Sequence, residues 1–361
     1  MIISRYLIRE TLQALAAVTL MLLVIFMSQQ LIRLLSYAAT GKLAANILLQ
    51  FAGFEIPYLL ALLLPLGMYL GIILVYGRLY AENELPVMQA CGFSKKQLFR
   101  ITMWIALWVS GVVMMLMLWV NPYLAAEKAK LVAHSMATEN ILSSLVPGRF
   151  QITNDGKRVV YVESMSRDHQ HANNLFIADQ DASNHSWTVL SATQGSQMKD
   201  KATQGRFVVA NSGYRYQGVP GQKDYQIIQF KKYAVRLEDT ITKTKRQEEQ
   251  ALSTYQLWSD YQKPENAAEL QWRLSIPISV LLLALLAVPL SHLRPRQGKY
   301  SALLPAVLLY IVYINLLFVA RDWVEAKLIS PYLGMWWVHA IVLLLLALFI
   351  KMQIGRESRS V

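Results

Sequence analysis

Apolar residues gather into six stretches with almost no charge, at positions 11–32, 56–76, 101–120, 274–293, 300–320 and 332–350. Each approaches the ~20 residues that a helix needs to cross a bilayer core. Between the third and fourth the pattern changes. Residues 123–142 continue the third span as a helix, with Leu124, Leu131 and Ile141 apolar, until Pro147-Gly148 ends it. Short runs rich in Val, Ile, Tyr and Phe come next, at 158–163, 174–179, 187–190, 206–211 and 225–237. Turn signals separate them, among them Asn154-Asp155-Gly156 and Val219-Pro220-Gly221. Short strands at this spacing predict a sandwich, barrel or jelly roll. A polar stretch at 238–250 leads to a helix opened by Ser253, with Gln256 completing a capping box. The expected fold is an α-helical polytopic membrane protein with six transmembrane helices and an inserted all-β, jelly-roll-like domain. Its parts are residues 1–121 (three spans, with a loop at 77–100), 122–273 (the insert with flanking helices) and 274–361 (three spans).

Charge orients this arrangement. Arg5, Arg9, Arg78, Lys95, Lys96, Arg100, Arg294, Arg296, Lys299, Lys351, Arg356 and Arg359 fall on one side of the spans. The opposite short loops offer only Arg33, Lys42, Arg321 and Lys327. The positive-inside rule then puts both termini in the cytoplasm and the insert outside. The net charge of +12 is accounted for largely by these flanking residues, so it is no nucleic-acid footprint. Arg5 and Arg9 before an apolar run imitate a secretory signal, but the run continues to Ile32 and meets Arg33, which reads as an uncleaved first span. The single cysteine, Cys91, excludes an internal disulfide.

Catalytic chemistry finds no support. Gly41-Lys42 and Gly298-Lys299 lack the rest of a phosphate-binding loop. The six histidines, including His169 and His171, show no metal-ligand spacing. His339 lies within the sixth span, where an ionisable group is either a proton relay or a neutral packed side chain. No chain of acids accompanies it, which argues against proton-coupled transport. In the second span Gly67 and Gly71 make a G-x-x-x-G face beginning two residues after Pro65, suited either to internal packing or to a moving interface.

The loop after the second span is more informative. Around Pro86 it alternates acids with apolar residues (Glu82, Glu84, Leu85, Val87, Met88) and stops at Gly92, with Ser94 capping the next helix. Such a helix beneath a bundle fits a groove on a soluble partner, with Leu85, Val87 and Met88 as contacts and Glu82 and Glu84 as charges. It equally fits a solvated interfacial helix. At the other side Arg33 and Arg321 stand directly after spans one and five, with Gln29 and Gln30 just inside Arg33. Two cations at matching depth could hold lipid phosphates; snorkelling at helix ends is the commoner use.

These features together resemble the LptF/LptG permease family of the lipopolysaccharide exporter of Gram-negative bacteria. The resemblance covers nearly the whole chain. Its residues are Arg5-Tyr6-Leu7-Ile8-Arg9-Glu10-Thr11, the loop end Val87-Met88-Gln89-Ala90-Cys91-Gly92-Phe93-Ser94 and Glu269-Leu270-Gln271-Trp272-Arg273. It continues in Val288-Pro289-Leu290-Ser291, Pro295-Arg296-Gln297-Gly298 and Leu304-Pro305-Ala306-Val307-Leu308-Leu309-Tyr310. The opening and the Pro-Arg-Gln-Gly stretch look more like the LptF branch, while Pro86 departs from the family pattern. The resemblance implies a non-enzymatic inner-membrane subunit without a cofactor of its own. It would work with a sister permease LptG, an LptB ATPase dimer that binds ATP and Mg, the membrane protein LptC and the bridge protein LptA. Lipopolysaccharide would enter from the outer leaflet and leave through a periplasmic β-jellyroll. The resemblance also implies that Glu84, with Glu82, Leu85 and Met88, couples to the ATPase, and that Arg33 and Arg321, with Gln29 and Gln30, contact lipopolysaccharide. A permease for another lipid or lipoprotein and a non-transporting membrane scaffold are the rival readings.

Overall fold

The computed structural model describes residues 2–39, 48–138, 147–152, 158–166, 171–180, 186–199, 206–236, 245–292 and 302–357. The expected turn at Asn154-Asp155-Gly156 and the Pro295-Arg296-Gln297-Gly298 stretch lie outside them. The chain divides into a helical unit (Met1–Leu31, Phe51–Lys128, Lys245–Val361) and a second unit (Ile32–Gln50, Ala129–Thr244) that holds the strands.

The helices are α1 (Ile2–Ala39), α2 (Leu48–Ala81), α3 (Glu84–Ala90), α4 (Lys95–Met115), α5 (Asn121–Thr138), α6 (Lys245–Ala251), α7 (Thr254–Ser259), α8 (Pro264–Leu290), α9 (Leu303–Glu325) and α10 (Trp336–Glu357). Among the described residues, five helical spans are long and apolar enough to cross a membrane: Ile2–Ala38, Leu48–Ala81, Lys95–Leu131, Pro264–Leu290 and Leu303–Glu325. The sixth expected span falls on α10, whose apolar part, Trp336–Met352, is shorter. Its start moves from 332 to 336 because the preceding residues turn, with Gly334 at φ +45°.

Between α4 and α5 the sequence reading missed a π-helical turn, Leu116–Val120. Pro122 comes just after it, and a proline has no amide hydrogen and crowds the preceding turn. One wider turn absorbs that misfit: the Asn121 amide reaches back to the Leu116 carbonyl. The helix thereby continues through the position where proline would otherwise break it.

α8 is the most enclosed span, burying Trp272, Ile276, Val280, Leu283, Ala284, Leu286 and Ala287. The Ser110 hydroxyl donates to the Pro277 carbonyl at 2.8 Å and fixes α4 against it. The G-x-x-x-G face of α2 packs on α1. Leu7, Thr11, Leu15 and Thr19 form a buried stripe at four-residue spacing along α1. A Cβ on Gly67 would collide with the Thr19 hydroxyl, and one on Gly71 would sit 3.1 Å from the Leu15 amide nitrogen. Glycine is therefore required for the helices to approach this closely. Beyond Thr19, α1 turns large apolar side chains outward, Leu20, Met21, Val24, Ile25 and Phe26 among them.

The second unit contains one antiparallel sheet: β1 (Gln151–Ile152), β2 (Arg158–Met165), β3 (His171–Gln180), β4 (Trp187–Lys199), β5 (Arg206–Gly218) and β6 (Gln226–Arg236), in that spatial order. Every strand pairs with its sequence neighbour, so the described strands form a meander with no crossover. Strands four and five are longer than their Val/Ile-rich cores predicted, because ladder bonds carry the polar ends along. Val160, Val162, Leu175, Ile177, Leu190 and Ala192 form the buried face. One transverse row breaks all the long ladders: Glu163, Asn174, Thr193, Ser212 and Lys231 stand opposite one another but are skipped in the pairing. Asn174 and Ser212 there adopt φ +50°. Each strand changes the side its residues face at this crease, so Leu175 and Ala172, three apart, are both buried. A groove of about 990 Å³ lies along it, with Tyr161, Phe176 and Tyr214 among its walls.

Candidate functional site

The helical unit carries two clusters of charged and polar side chains. The first is the corner between α2 and α4. α2 ends at Ala81, and Asn83, in the left-handed conformation at φ 59°, turns the chain into α3. Asparagine tolerates that conformation better than most residues. Pro86 falls in the first turn of α3, where its missing amide hydrogen leaves no bond unmade, so the departure from the family pattern does not interrupt the helix. At the far end the Phe93 amide bonds the Met88 carbonyl and the Gly92 amide the Gln89 carbonyl, both at 3.0 Å. With Gly92 at φ +96° this is a Schellman stop. Ser94 then caps α4 through a capping box with Gln97. Sequence signals located these boundaries because each rests on a local backbone requirement.

Which way α3 faces was not legible. Leu85 is fully buried in the chain's own core, and Met88 packs half-buried against that core. The expectation that Leu85 presents an apolar contact to a partner is corrected on this ground. Val87, 59% exposed, is the large apolar side chain of α3 that faces outward, beside exposed Pro86. Glu84 is half-buried and accepts a 3.0 Å hydrogen bond from the Tyr6 hydroxyl through Oε2. Among the described residues its Oε1 has no partner in the chain. Arg78, one turn before the corner, binds Glu10 at 2.6 Å and lies 3.8 Å from Glu82. Thus Tyr6 and Glu10, one turn apart on α1, hold the two helices on either side of Asn83.

The second cluster joins α6, α8 and α9. Glu269 lies at the centre, 3% exposed. Its Oε1 accepts from Arg273 Nε at 2.9 Å and its Oε2 from Arg321 Nη2 at 2.7 Å. Arg321 Nε also reaches Glu325 at 2.8 Å, and its guanidinium lies 5.2 Å from the Trp272 ring centroid. Arg273 turns its remaining nitrogens to the Glu249, Gln250 and Leu252 carbonyls, at 3.1–3.3 Å. Those carbonyls lie at and just past the end of α6, where a cation suits them twice, as donor and as charge. Arg246 of α6 binds Asp322 at 2.9 Å and Glu325 at 2.7 Å. Burial raises the pKa of Glu249, with the charges of Glu325 and Glu269 adding to the effect and Arg321 opposing it.

Arg321 is therefore not an exposed cation awaiting a lipid phosphate: it is 2% exposed and held by two carboxylates. The sequence could not separate it from Arg33, because each stands directly after an apolar run. Arg33 is exposed near the end of α1, and among the described residues no side chain pairs with it. Gln29, one turn earlier on the same face, is exposed too, while Gln30 is half-buried.

The stretch Glu269-Leu270-Gln271-Trp272-Arg273, part of the family resemblance, supplies this cluster with Glu269 and Arg273 and the neighbouring turn with Gln271. Gln271 accepts from the Met335 amide at 2.9 Å and donates to the Tyr261 hydroxyl at 2.7 Å and to the Pro331 carbonyl. It closes the turn before α10, and any side chain on Gly334 would strike its carboxamide. The available signal was three ionisable or amide residues at the start of an apolar span, which are costly there unless partnered. Beside this cluster lies a small cavity of about 100 Å³, lined by Glu55, Lys128, Glu269 and Arg273 with Tyr58 and Trp272. His339, 5% exposed, shares a 2.9 Å hydrogen bond with the Tyr313 hydroxyl, an arrangement that suits a packed neutral imidazole. No group of three metal-binding side chains occurs among the described residues.

Comparison with known proteins agrees with this architecture. Residues 5–352 match the family described as lipopolysaccharide export system permease LptF/LptG. The chain is 32% identical over 348 residues to the lipopolysaccharide export system permease protein LptF of Escherichia coli K12, covering 96% of this chain and 93% of that protein. The same identity and coverage hold for LptF of Shigella flexneri. Five long apolar spans and a shorter sixth among the described residues, with a β-sheet insert after the third, and a match over nearly the full length of both chains, lead to one conclusion: this chain belongs to the LptF/LptG family of lipopolysaccharide export permeases.

Proposed function

We propose that this chain is an LptF-type permease subunit of an ATP-driven exporter that takes lipopolysaccharide from the outer leaflet of the inner membrane. In this reading both termini and the α2–α4 corner are cytoplasmic, and the sheet is periplasmic. An LptB dimer, which binds ATP and Mg, docks at the corner, using outward-facing Val87 and the free oxygen of Glu84. The sister permease LptG covers the apolar outer half of α1, and the sheet hands the lipid to LptC and on to LptA. Arg33, with Gln29 beside it, contacts phosphates or acidic sugars of the substrate.

The observation that carries this reading is the near full-length family match. It also disfavours a permease for other lipids and a non-transporting scaffold. The structure supports it in two respects: α1 has an apolar outer half with little cover inside the chain, and Arg33 has no internal partner among the described residues. Large apolar side chains line that outer half, Leu20, Met21, Val24, Ile25 and Phe26 among them. A lipid-facing helix or a second subunit each accounts for them, and the exporter supplies both.

The test is affinity purification of the chain expressed with the other export components, then mass spectrometry of protein and lipid. Recovery of an ATPase subunit, a second permease and lipopolysaccharide is expected. A complex containing neither ATPase nor lipopolysaccharide would refute the proposal.

A further inference from the structure

We infer that Tyr6 is a positioning residue: its hydroxyl ties the α2–α3 corner to the first membrane helix, so that α1 works as a stiff lever between the corner and the Gln29–Gln30 turn. The inference rests on the coupling role proposed for Glu84 and adds the path by which motion leaves the corner.

Three observations carry it. First, α1 grips both sides of the Asn83 joint. Glu10 binds Arg78 in the last turn of α2 at 2.6 Å, and Tyr6 binds Glu84, the first residue of α3, at 3.0 Å. Any rotation of α3 about Asn83 must break the Tyr6 bond or carry the start of α1 with it. Second, α1 is one continuous helix of 38 residues without proline or glycine. A helix rises 1.5 Å per residue, so Gln29 lies roughly 35 Å along the axis from Tyr6. Its four-residue stripe ends at Thr19, and from there to Leu34, which is buried again, the helix shows large apolar side chains outward, as an arm beyond a fulcrum. Third, the clasps are of a strength that can be remade. The Arg78 and Glu10 side chains are 36% and 30% exposed, and Glu84 is half-buried. Partly exposed pairs contribute little to stability and exchange readily, unlike the buried pairs around Glu269. Only the tyrosine hydroxyl reaches the carboxylate, so phenylalanine would keep the ring and remove the tie.

The experiment uses the assembled complex in lipid nanodiscs, with the variants Tyr6→Phe, Glu84→Gln and both together. Three quantities are read: ATPase subunit retained, lipopolysaccharide released per ATP hydrolysed, and the response to nucleotide of a fluorophore on Met21→Cys in a Cys91→Ser background. Met21 is 68% exposed and lies beyond the fulcrum. Tyr6→Phe is expected to retain the ATPase, to lower release per ATP about tenfold, the loss of one hydrogen bond to a charged group, and to abolish the probe response. The double variant should be no worse than the poorer single one, since both act on the same contact: phenylalanine removes the donor hydroxyl and glutamine the charge it binds.

Wild-type release and probe response in Tyr6→Phe, with Glu84→Gln impaired, would overturn the lever and leave the coupling role of Glu84 standing. Wild-type behaviour of both single variants would overturn the coupling role as well. Loss of the ATPase subunit from Tyr6→Phe would make Tyr6 a docking contact and also overturn the lever.

Discussion

The corner around Glu84 and the cluster around Glu269 use the same chemistry, a carboxylate between cationic or hydroxyl donors, in opposite ways. Glu269 is almost fully buried and bonded through both oxygens to arginines that are themselves 3% exposed at their side chains. Glu84 is half-buried and bonded through one oxygen to a neutral hydroxyl. Removing a partner from a buried pair leaves an uncompensated charge where water cannot reach it, whereas a half-exposed group is resolvated. The first arrangement locks α6, α8 and α9 into one geometry. The second can open and close. Burial decides which contacts of the same residue types are fixed and which are free to move.

The sharpest way to break this contrast is Glu269→Ala. It strands Arg273 and Arg321 together and is expected to cost about 3–5 kcal/mol. In practice the purified protein should lose most of its thermal stability in detergent, while Glu84→Ala melts within a few degrees of wild type. Equal melting temperatures for the two would erase the distinction. Leu85→Ala tests the part of the corner that is fixed. Its side chain is fully buried, so truncation should cost about 2–5 kcal/mol, whereas Val87→Ala should leave stability unchanged and affect only partner binding. If Leu85→Ala is as stable as wild type but loses the ATPase subunit, Leu85 is a docking contact after all.

Arg33 and Arg321 sharpen the comparison further. Arg33→Glu should keep the fold and reduce co-purifying lipopolysaccharide several-fold, with Arg33→Lys retaining part because it keeps the charge without the fork. Arg321→Glu should fail earlier, in folding, by placing a third carboxylate beside Glu269 and Glu325. Stable Arg321→Glu protein would contradict the buried network.

The smallest effect is expected at Glu249. Its pKa is raised on folding, so the folded state holds the proton more tightly than the unfolded chain does. Folding is then favoured below the unfolded value of 4.5, and this contribution is lost as pH rises through the folded value. Glu249→Gln should therefore melt slightly higher than wild type at neutral pH and show a flatter melting profile between acid and neutral pH. A steeper profile would reverse the sign.

Much of the architecture was legible because it depends on local quantities. The lengths of apolar runs located the long helices. Glycine, proline and hydroxyl residues at specific offsets marked the Gly92 stop of α3, the Ser94 and Ser253 caps and the Gly221 turn. Alternating β-branched and aromatic residues marked β2 to β6, although β1, two residues long, left no pattern. The π-turn before Pro122, the crease through Asn174 and Ser212, and the later start of α10 escaped. Each resolves a misfit between neighbouring segments, and a single segment does not display that misfit.

For the functional residues the division is equally physical. The sequence by itself determined that the chain carries membrane-length apolar helices, at which point along the chain the insert falls, which family it resembles, and that a short helix around Glu84 stops at Gly92. It could not orient that helix. Whether Leu85 or Val87 faces outward depends on which side of α3 meets the core, and residues distant in sequence supply that core. Nor could it distinguish Arg33 from Arg321, since a cation after an apolar run looks the same in both. Only the tertiary structure brings Glu269 and Glu325 to Arg321 and none of the described carboxylates to Arg33. It decides because charges act through distance and dielectric, which packing sets, while the order of residues along the chain fixes only what is available to be packed.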